Sequence, residues 1–240
     1  MADSPNKYYA HGKLLLSGEY LILQGAKALA VPVKFGQTMQ IVPEKNSNQL
    51  AWEAFSLNEP WFSCTFQLPE LSILKTTDHG KTETLKKILE TIQEMNPGFS
   101  FEKGASVQTN LEFDNCWGLG SSSTLIANLA SLAKVDPFEL NERIFNGSGY
   151  DIACATASGP VFYTMAEKAQ PVQLGFPFKE HLFFVYSGMK KNTRDAMKSF
   201  KHKQNVNARH LGKINAISSE IARSKALVDF QKLIKEHEEI

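Results

Sequence analysis

Between Asn115 and Val135 the chain reads NCWGLGSSSTLIANLASLAKV, two glycines and three serines directly ahead of an apolar run at helical spacing. Leu125, Ile126, Leu129, Leu132 and Ala133 fall on one face, which predicts a helix over 121–134 with a buried stripe. The chain enters this helix through its most flexible residues. Two local structures fit. In one, Ser121 caps the helix after a tight turn. In the other, the unpaired N–H groups and partial positive charge of the helix start hold an anion. Glycines then let the backbone approach closely, and the hydroxyls of Ser121, Ser122 and Ser123 bond phosphate oxygens or ligate magnesium. Neither standard phosphate-loop pattern is present. G-x-x-x-x-G-K-[ST] does not occur, and Ser123 stands where a third glycine would complete G-x-G-x-x-G. The segment alone leaves both structures open.

The flanking sequence sets the class. Lys13–Leu16, Tyr20–Leu23, the Val-rich run ALAVPVKFGQTMQIVP, LAWEAF, WFSCTF and ASVQTNLEF all predict strands, as do GPVFYTM and LFFVYSG further on. TETLKKILETIQEM repeats apolar residues at helical spacing and stops at Asn96-Pro97-Gly98. Asp136-Pro137 with Glu139 predicts a second helix after the opening one, capped by Asp136 and running to about Asn146. GSGYDIACATA predicts a glycine-rich turn and a third, short helix, and the chain from Asn192 is mostly helical. Strands and helices mix without a regular βαβ rhythm, so the expected class is α+β. The polar stretch 166–173, with Pro171, separates two apolar blocks and is the expected domain boundary.

Composition narrows the partners. A net charge of +1, from 26 basic and 25 acidic residues, gives no global attraction to nucleic acid or to an anionic membrane. Eight basic residues against one acid between Lys190 and Lys213 form a local charge run, an exposed face or a means of steering an anionic substrate. The three cysteines, Cys64, Cys116 and Cys154, are odd in number and lack a C-x-x-C spacing. They argue against a disulfide framework or a zinc site, and for a reducing cytosol. The N-terminus has no signal-peptide core and no apolar run reaches membrane-spanning length, so a cytoplasmic protein is expected.

Four segments in order carry a resemblance: YAHGKLLLSGEYLILQGAKALAVPV, GLGSSS, NERIFNGSGYDIACA and VYSGMKKNTRDAM. Together they resemble the GHMP kinase superfamily of small-molecule kinases, over roughly Tyr9 to Met197. The resemblance implies a two-domain fold. Residues 1–168 would form an N-terminal, ribosomal-protein-like α+β domain that binds ATP, and 169–240 an incomplete ferredoxin-like C-terminal domain. It also implies roles. Gly118, Leu119, Gly120, Ser121, Ser122 and Ser123 would wrap the ATP phosphates, and Ser122 and Glu142 would ligate Mg²⁺. Asp151 would serve as general base for, or orient, the substrate hydroxyl, with Lys13 holding it ionised and favouring the developing alkoxide. Phosphoryl transfer needs these types: charge neutralisation, hard oxygen ligands and a carboxylate beside a weak nucleophile. Each has a plainer alternative. Ser148 and Asp151 match a capping box, Glu142 can be a solvated helix residue, Lys13 an edge charge and Thr193 an N-cap.

The resemblance has gaps. DNCW stands where the family places a proline before its loop, Pro160 replaces a glycine, and no third glycine-rich motif lies between Asn192 and Ile240. The expected activity is ATP-dependent phosphorylation of a small alcohol, mevalonate or phosphomevalonate, with mevalonate marginally ahead. The rivals are another GHMP small-molecule kinase or a paralogue that binds nucleotide without turnover. The shortened second domain would leave apolar strand faces uncovered, which favours a homodimer or low stability.

Overall fold

The computed structural model describes residues 6–19, 21–44, 47–101, 104–188 and 208–240. Lys190, Lys191 and Thr193 lie outside them, as does most of the basic run. The fold is α+β. Its strands are β1 (Asn6–Ser17), β2 (Ala28–Pro43), β3 (Gln49–Ser56), β4 (Glu59–Gln67), β5 (Ser72–Thr76), β6 (Ala105–Leu111), β7 (Val161–Thr164) and β8 (Lys168–Pro171). Its helices are α1 (His79–Met95), α2 (Ser121–Ala133), α3 (Pro137–Phe145), α4 (Tyr150–Thr156), α5 (Ala208–Arg223) and α6 (Leu227–Glu238). None of the described helices is long and apolar enough to cross a membrane.

Two compact units divide the chain: Met1–Gly12, Lys34–Asn115 and Leu119–Gly147 form one, and Lys13–Val33, Cys116–Gly118 and Ser148–Ile240 the other. In the first unit the strand order is β5-β4-β3-β6-β2. β3 pairs antiparallel with β4 and parallel with β6, and β6 pairs antiparallel with β2. Period-two alternation buries Leu50, Trp52 and Ala54 of β3 and Phe62, Cys64 and Phe66 of β4, while Trp52 pairs with Val107 across the parallel ladder. Helix α1 starts at an Asp78 cap and buries Leu85, Ile88, Leu89 and Ile92. It packs against α2 and α3. The cap of α3 is Asp136, whose carboxylate accepts from the N–H groups of Phe138 at 2.7 Å and Glu139 at 2.9 Å.

Helix α2 is buried on more than the predicted stripe: Ile126, Leu129 and Ala133 are joined by Ala127, Ala130 and the polar Thr124 and Asn128. The polar pair sets its register on β2. Asn128 Nδ2 donates to the Gln37 carbonyl at 3.0 Å, and the Thr124 hydroxyl lies 3.0 Å from Gln37 Oε1. Asn96, just past α1, donates to the Ala133 carbonyl at 2.7 Å. Each partner deleted from such a buried bond costs about 1–3 kcal/mol. The start of α2 is thereby fixed from behind by bonds a purely apolar helix would lack.

In the second unit the first residues of β2 pair antiparallel with β7, and β7 with β8. Leu29, Phe178, Ile217, Ile221, Ala222 and Phe230 form the core, with Phe176 stacked on Phe178 at 5.2 Å. Helices α5 and α6 hold the turn after β1. Ser17 Oγ donates to Ser218 Oγ at 2.8 Å, Lys27 N to Asn215 Oδ1 at 2.6 Å, and Gly18 N to His237 Nε2 at 2.8 Å. Gly18 has φ +87°, and a Cβ there would stand 2.8 Å from Ala28 Cα, so this turn accepts only glycine.

Two predicted strands take other forms. Leu21–Gln24 is a 3-10 turn whose Leu21 and Ile22 are buried. The run 182–188 has no regular structure, and Phe183, Phe184 and Val185 are exposed by 81%, 65% and 88%. Strand propensity measures how a side chain fits a pleated, half-buried surface, and without a ladder it fixes nothing.

Candidate active site

Gly118 has φ +75° and Gly120 has φ +91° and ψ +45°, left-handed conformations that a Cβ penalises by about 1–2 kcal/mol. Gly120, not Ser121, is the residue that caps α2, and it offers no side chain to accept from the N–H groups of the first turn. The Thr124 N–H makes the first helical bond, to the Gly120 carbonyl at 3.0 Å, so the amides of Ser121, Ser122 and Ser123 precede the helical ladder. The Ser121 cap that the sequence left open is therefore absent. Ser123 is buried and its hydroxyl donates to the Gly120 carbonyl at 2.8 Å. Ser122 is exposed, and its hydroxyl has no partner among the described residues. The loop thus offers three amides, one inward hydroxyl that stiffens the turn, and one outward hydroxyl.

Glu142 is exposed on α3, the helix that packs against α2. A hydroxyl and a carboxylate, both hard oxygens, suit Mg²⁺, which takes one or two protein ligands and completes its shell with phosphate and water. Among the described residues no group of three or more His, Cys, Asp or Glu side chains could hold a metal without such help.

In the second unit the sequence-predicted pair comes together. Lys13 Nζ, on β1, lies 4.0 Å from Asp151 Oδ1, in the first turn of α4. Helix α4 is capped by Gly149, with φ +90° and no side-chain bond, and the Ser148 carbonyl instead accepts from the Tyr163 hydroxyl at 2.7 Å. The capping box that Ser148 and Asp151 spell is not formed. Asp151 Oδ1 is closed off from solvent and accepts no hydrogen bond. An unmet buried acceptor costs about 1–3 kcal/mol, and this oxygen keeps an unused capacity to accept.

Tyr150 is the residue that sequence reasoning passed over. Lys13 Nζ donates to its hydroxyl at 3.0 Å and sits 5.2 Å from the centre of its ring. Burial, and then the Asp151 carboxylate, push the Tyr150 phenol well above its ordinary range, so it stays neutral. The same two causes raise Tyr163 and push the Cys154 thiol up to about 12.

These features define a class: an α+β protein with an open, glycine-capped helix start and a lysine–carboxylate pair at the head of another helix. No protein-family model and no curated protein sequence matches the chain. Solved structures do match. Methanococcus jannaschii mevalonate kinase has a TM-score of 0.72 at 16% identity, over 99% of this chain and 78% of that one. Streptococcus pneumoniae phosphomevalonate kinase gives 0.60 at 16% identity, over 97% and 77%. Mevalonate diphosphate decarboxylase from Staphylococcus aureus gives 0.60 at 14% identity, over 97% and 71%. The chain therefore shares the fold of these two kinases and of the decarboxylase.

Proposed function

We propose that the protein catalyses ATP-dependent phosphoryl transfer to a small alcohol of the mevalonate type, mevalonate or phosphomevalonate. The observation that carries this reading is the buried, unbonded Oδ1 of Asp151 beside the Lys13 ammonium. A carboxylate in that state is ready to accept a hydroxyl proton. Residues 1–168 bind the nucleotide, and 169–240 belong to a second domain. Gly118, Leu119 and Gly120 and the amides of Ser121, Ser122 and Ser123 bind the triphosphate, and Ser122 and Glu142 hold Mg²⁺. The metal supplies charge neutralisation on the phosphate oxygens.

The alcohol oxygen forms a bond to the γ-phosphorus as the bond from that phosphorus to its bridging oxygen breaks. The hydroxyl proton passes to Asp151, and ADP leaves. Lys13 stabilises the negative charge that grows on the alcohol oxygen. A coupled ADP-release assay with mevalonate, phosphomevalonate, homoserine and galactose tests this. Turnover with one of the first two is expected, and turnover with none of the four overturns it.

A further inference from the structure

Tyr150 stands between the two groups that the proposed reaction uses. Lys13 Nζ is 3.0 Å from the Tyr150 hydroxyl but 4.0 Å from Asp151 Oδ1, beyond hydrogen-bond distance. The lysine therefore spends a hydrogen bond on the phenol, while the carboxylate oxygen nearest it keeps none. Were the ammonium free to swing, it would close the remaining gap and occupy that oxygen. Two contacts hold it where it is: the hydroxyl, and the ring face at 5.2 Å, a cation–π separation. Lys13 is only 16% exposed, so water competes weakly for its protons.

Resting on the phosphoryl-transfer reading, we infer that Tyr150 is a positioning residue: its hydroxyl fixes the Lys13 ammonium beside Asp151 without a direct hydrogen bond between them, so that Oδ1 keeps its capacity to accept. The groups facing the phenol support this. Asp151 is negative toward it and shares a side-chain hydrogen bond with it, Glu19 is negative toward it, Cys154 is a buried thiol, and Lys13 is the cation bonded to it. All but the lysine keep the phenol protonated, and so neutral. A neutral hydroxyl accepts from Lys13 without neutralising its charge.

Tyr150→Phe isolates the hydroxyl, because the ring stays under the ammonium. Hydrogen bonds to charged groups contribute about 1.5–3 kcal/mol, so kcat should fall by roughly 10- to 150-fold. Nucleotide Kd, measured by calorimetry, should be unchanged. The deciding comparison is a double-mutant cycle with Lys13→Met. If Tyr150 acts only through Lys13, adding Tyr150→Phe to Lys13→Met lowers kcat no further; a full additional loss overturns the inference, as does a Tyr150→Phe enzyme with unchanged kcat. A second readout needs no turnover. In protein carrying ¹³Cζ-labelled tyrosine, the Tyr150 resonance, assigned by its loss in Tyr150→Phe, should move in Lys13→Met. A resonance that stays in place removes the Lys13–Tyr150 bond from the account. A wild-type protein without turnover on any alcohol refutes the kinase reading itself, and the tyrosine resonance then still decides whether Tyr150 holds Lys13.

Discussion

Replacing Asp151 with asparagine keeps the shape and removes the charge. The structural cost is small. At 4.0 Å the Lys13–Asp151 attraction is about 4 kcal/mol at an effective dielectric of 20, but the Asp151 side chain is 39% exposed. Solvent screening brings pairs of that exposure to about 1 kcal/mol. Some of this is returned, because an amide oxygen at the Oδ1 position is cheaper to leave unbonded than a carboxylate oxygen. A net loss of about 1 kcal/mol corresponds to a drop in Tm of roughly 2–4 °C for a chain of this size. The variant therefore stays folded at assay temperature. The kinetic cost is large, since a positioned general base contributes about 100- to 10,000-fold. The expected result in a coupled assay is a fall in kcat of that order, with calorimetric nucleotide affinity within a factor of about 2–3, since the proposed triphosphate cradle lies on other residues. A kcat within tenfold of wild type would refute the reasoning. A wild-type protein that binds nucleotide but turns nothing over, with Asp151→Asn indistinguishable from it, would instead mark a pure binder.

Three further outcomes follow from the geometry. Burial pushes Cys64 from 9.0 up to about 11, and pushes Cys154, also raised by the Asp151 charge, to about 12. The folded protein thus holds these thiol protons more tightly than the unfolded chain. Their contribution is fully present below about pH 9 and is lost between pH 9 and 11 for Cys64, and between 9 and 12 for Cys154. The slope approaches roughly 1.4 kcal/mol per pH unit for each thiol. Urea unfolding at pH 8, 9 and 10 should show this decline, and Cys154→Ala should flatten it; equal slopes in both proteins would contradict the assignment. Gly120→Ala places a Cβ on a residue at φ +91° and should cost about 1–2 kcal/mol in stability, with a rise in nucleotide Kd of tenfold if the strain opens the helix start; unchanged unfolding would mean that the loop has another accessible form. His237→Ala removes the acceptor of the Gly18 N–H, 2.8 Å away, and should cost about 1–3 kcal/mol in urea unfolding. Wild-type stability would place no weight on that bond.

Elements written in local chemistry were legible. The sixteen residues ALAVPVKFGQTMQIVP form β2 as a block, Asp136-Pro137 starts α3, and the run after GLGSSS forms α2. Strand β5 was missed because SILKT is short, and β8 because KAQP is polar, with no inward face to leave an alternating signal. The opposite error occurred at 182–188, where apolar, β-favouring residues have no ladder. Helix starts show a third limit. Ser121 and Ser148 have the right chemistry to cap, yet glycines at 120 and 149 cap instead, both with φ near +90°. Propensity scales rank side chains, whereas a glycine at the cap position offers the first-turn amides no side-chain acceptor. At both positions the chain gives up a cap that would contribute about 1 kcal/mol. Each open turn holds residues the phosphoryl-transfer reading needs, three amides at one and Asp151 at the other. Tyr150 was invisible for a related reason: nothing in GSGYDIA says that a lysine some 137 residues earlier will donate to its hydroxyl. A motif shows which residue types stand together along the chain, and only tertiary structure brings Lys13 to Tyr150.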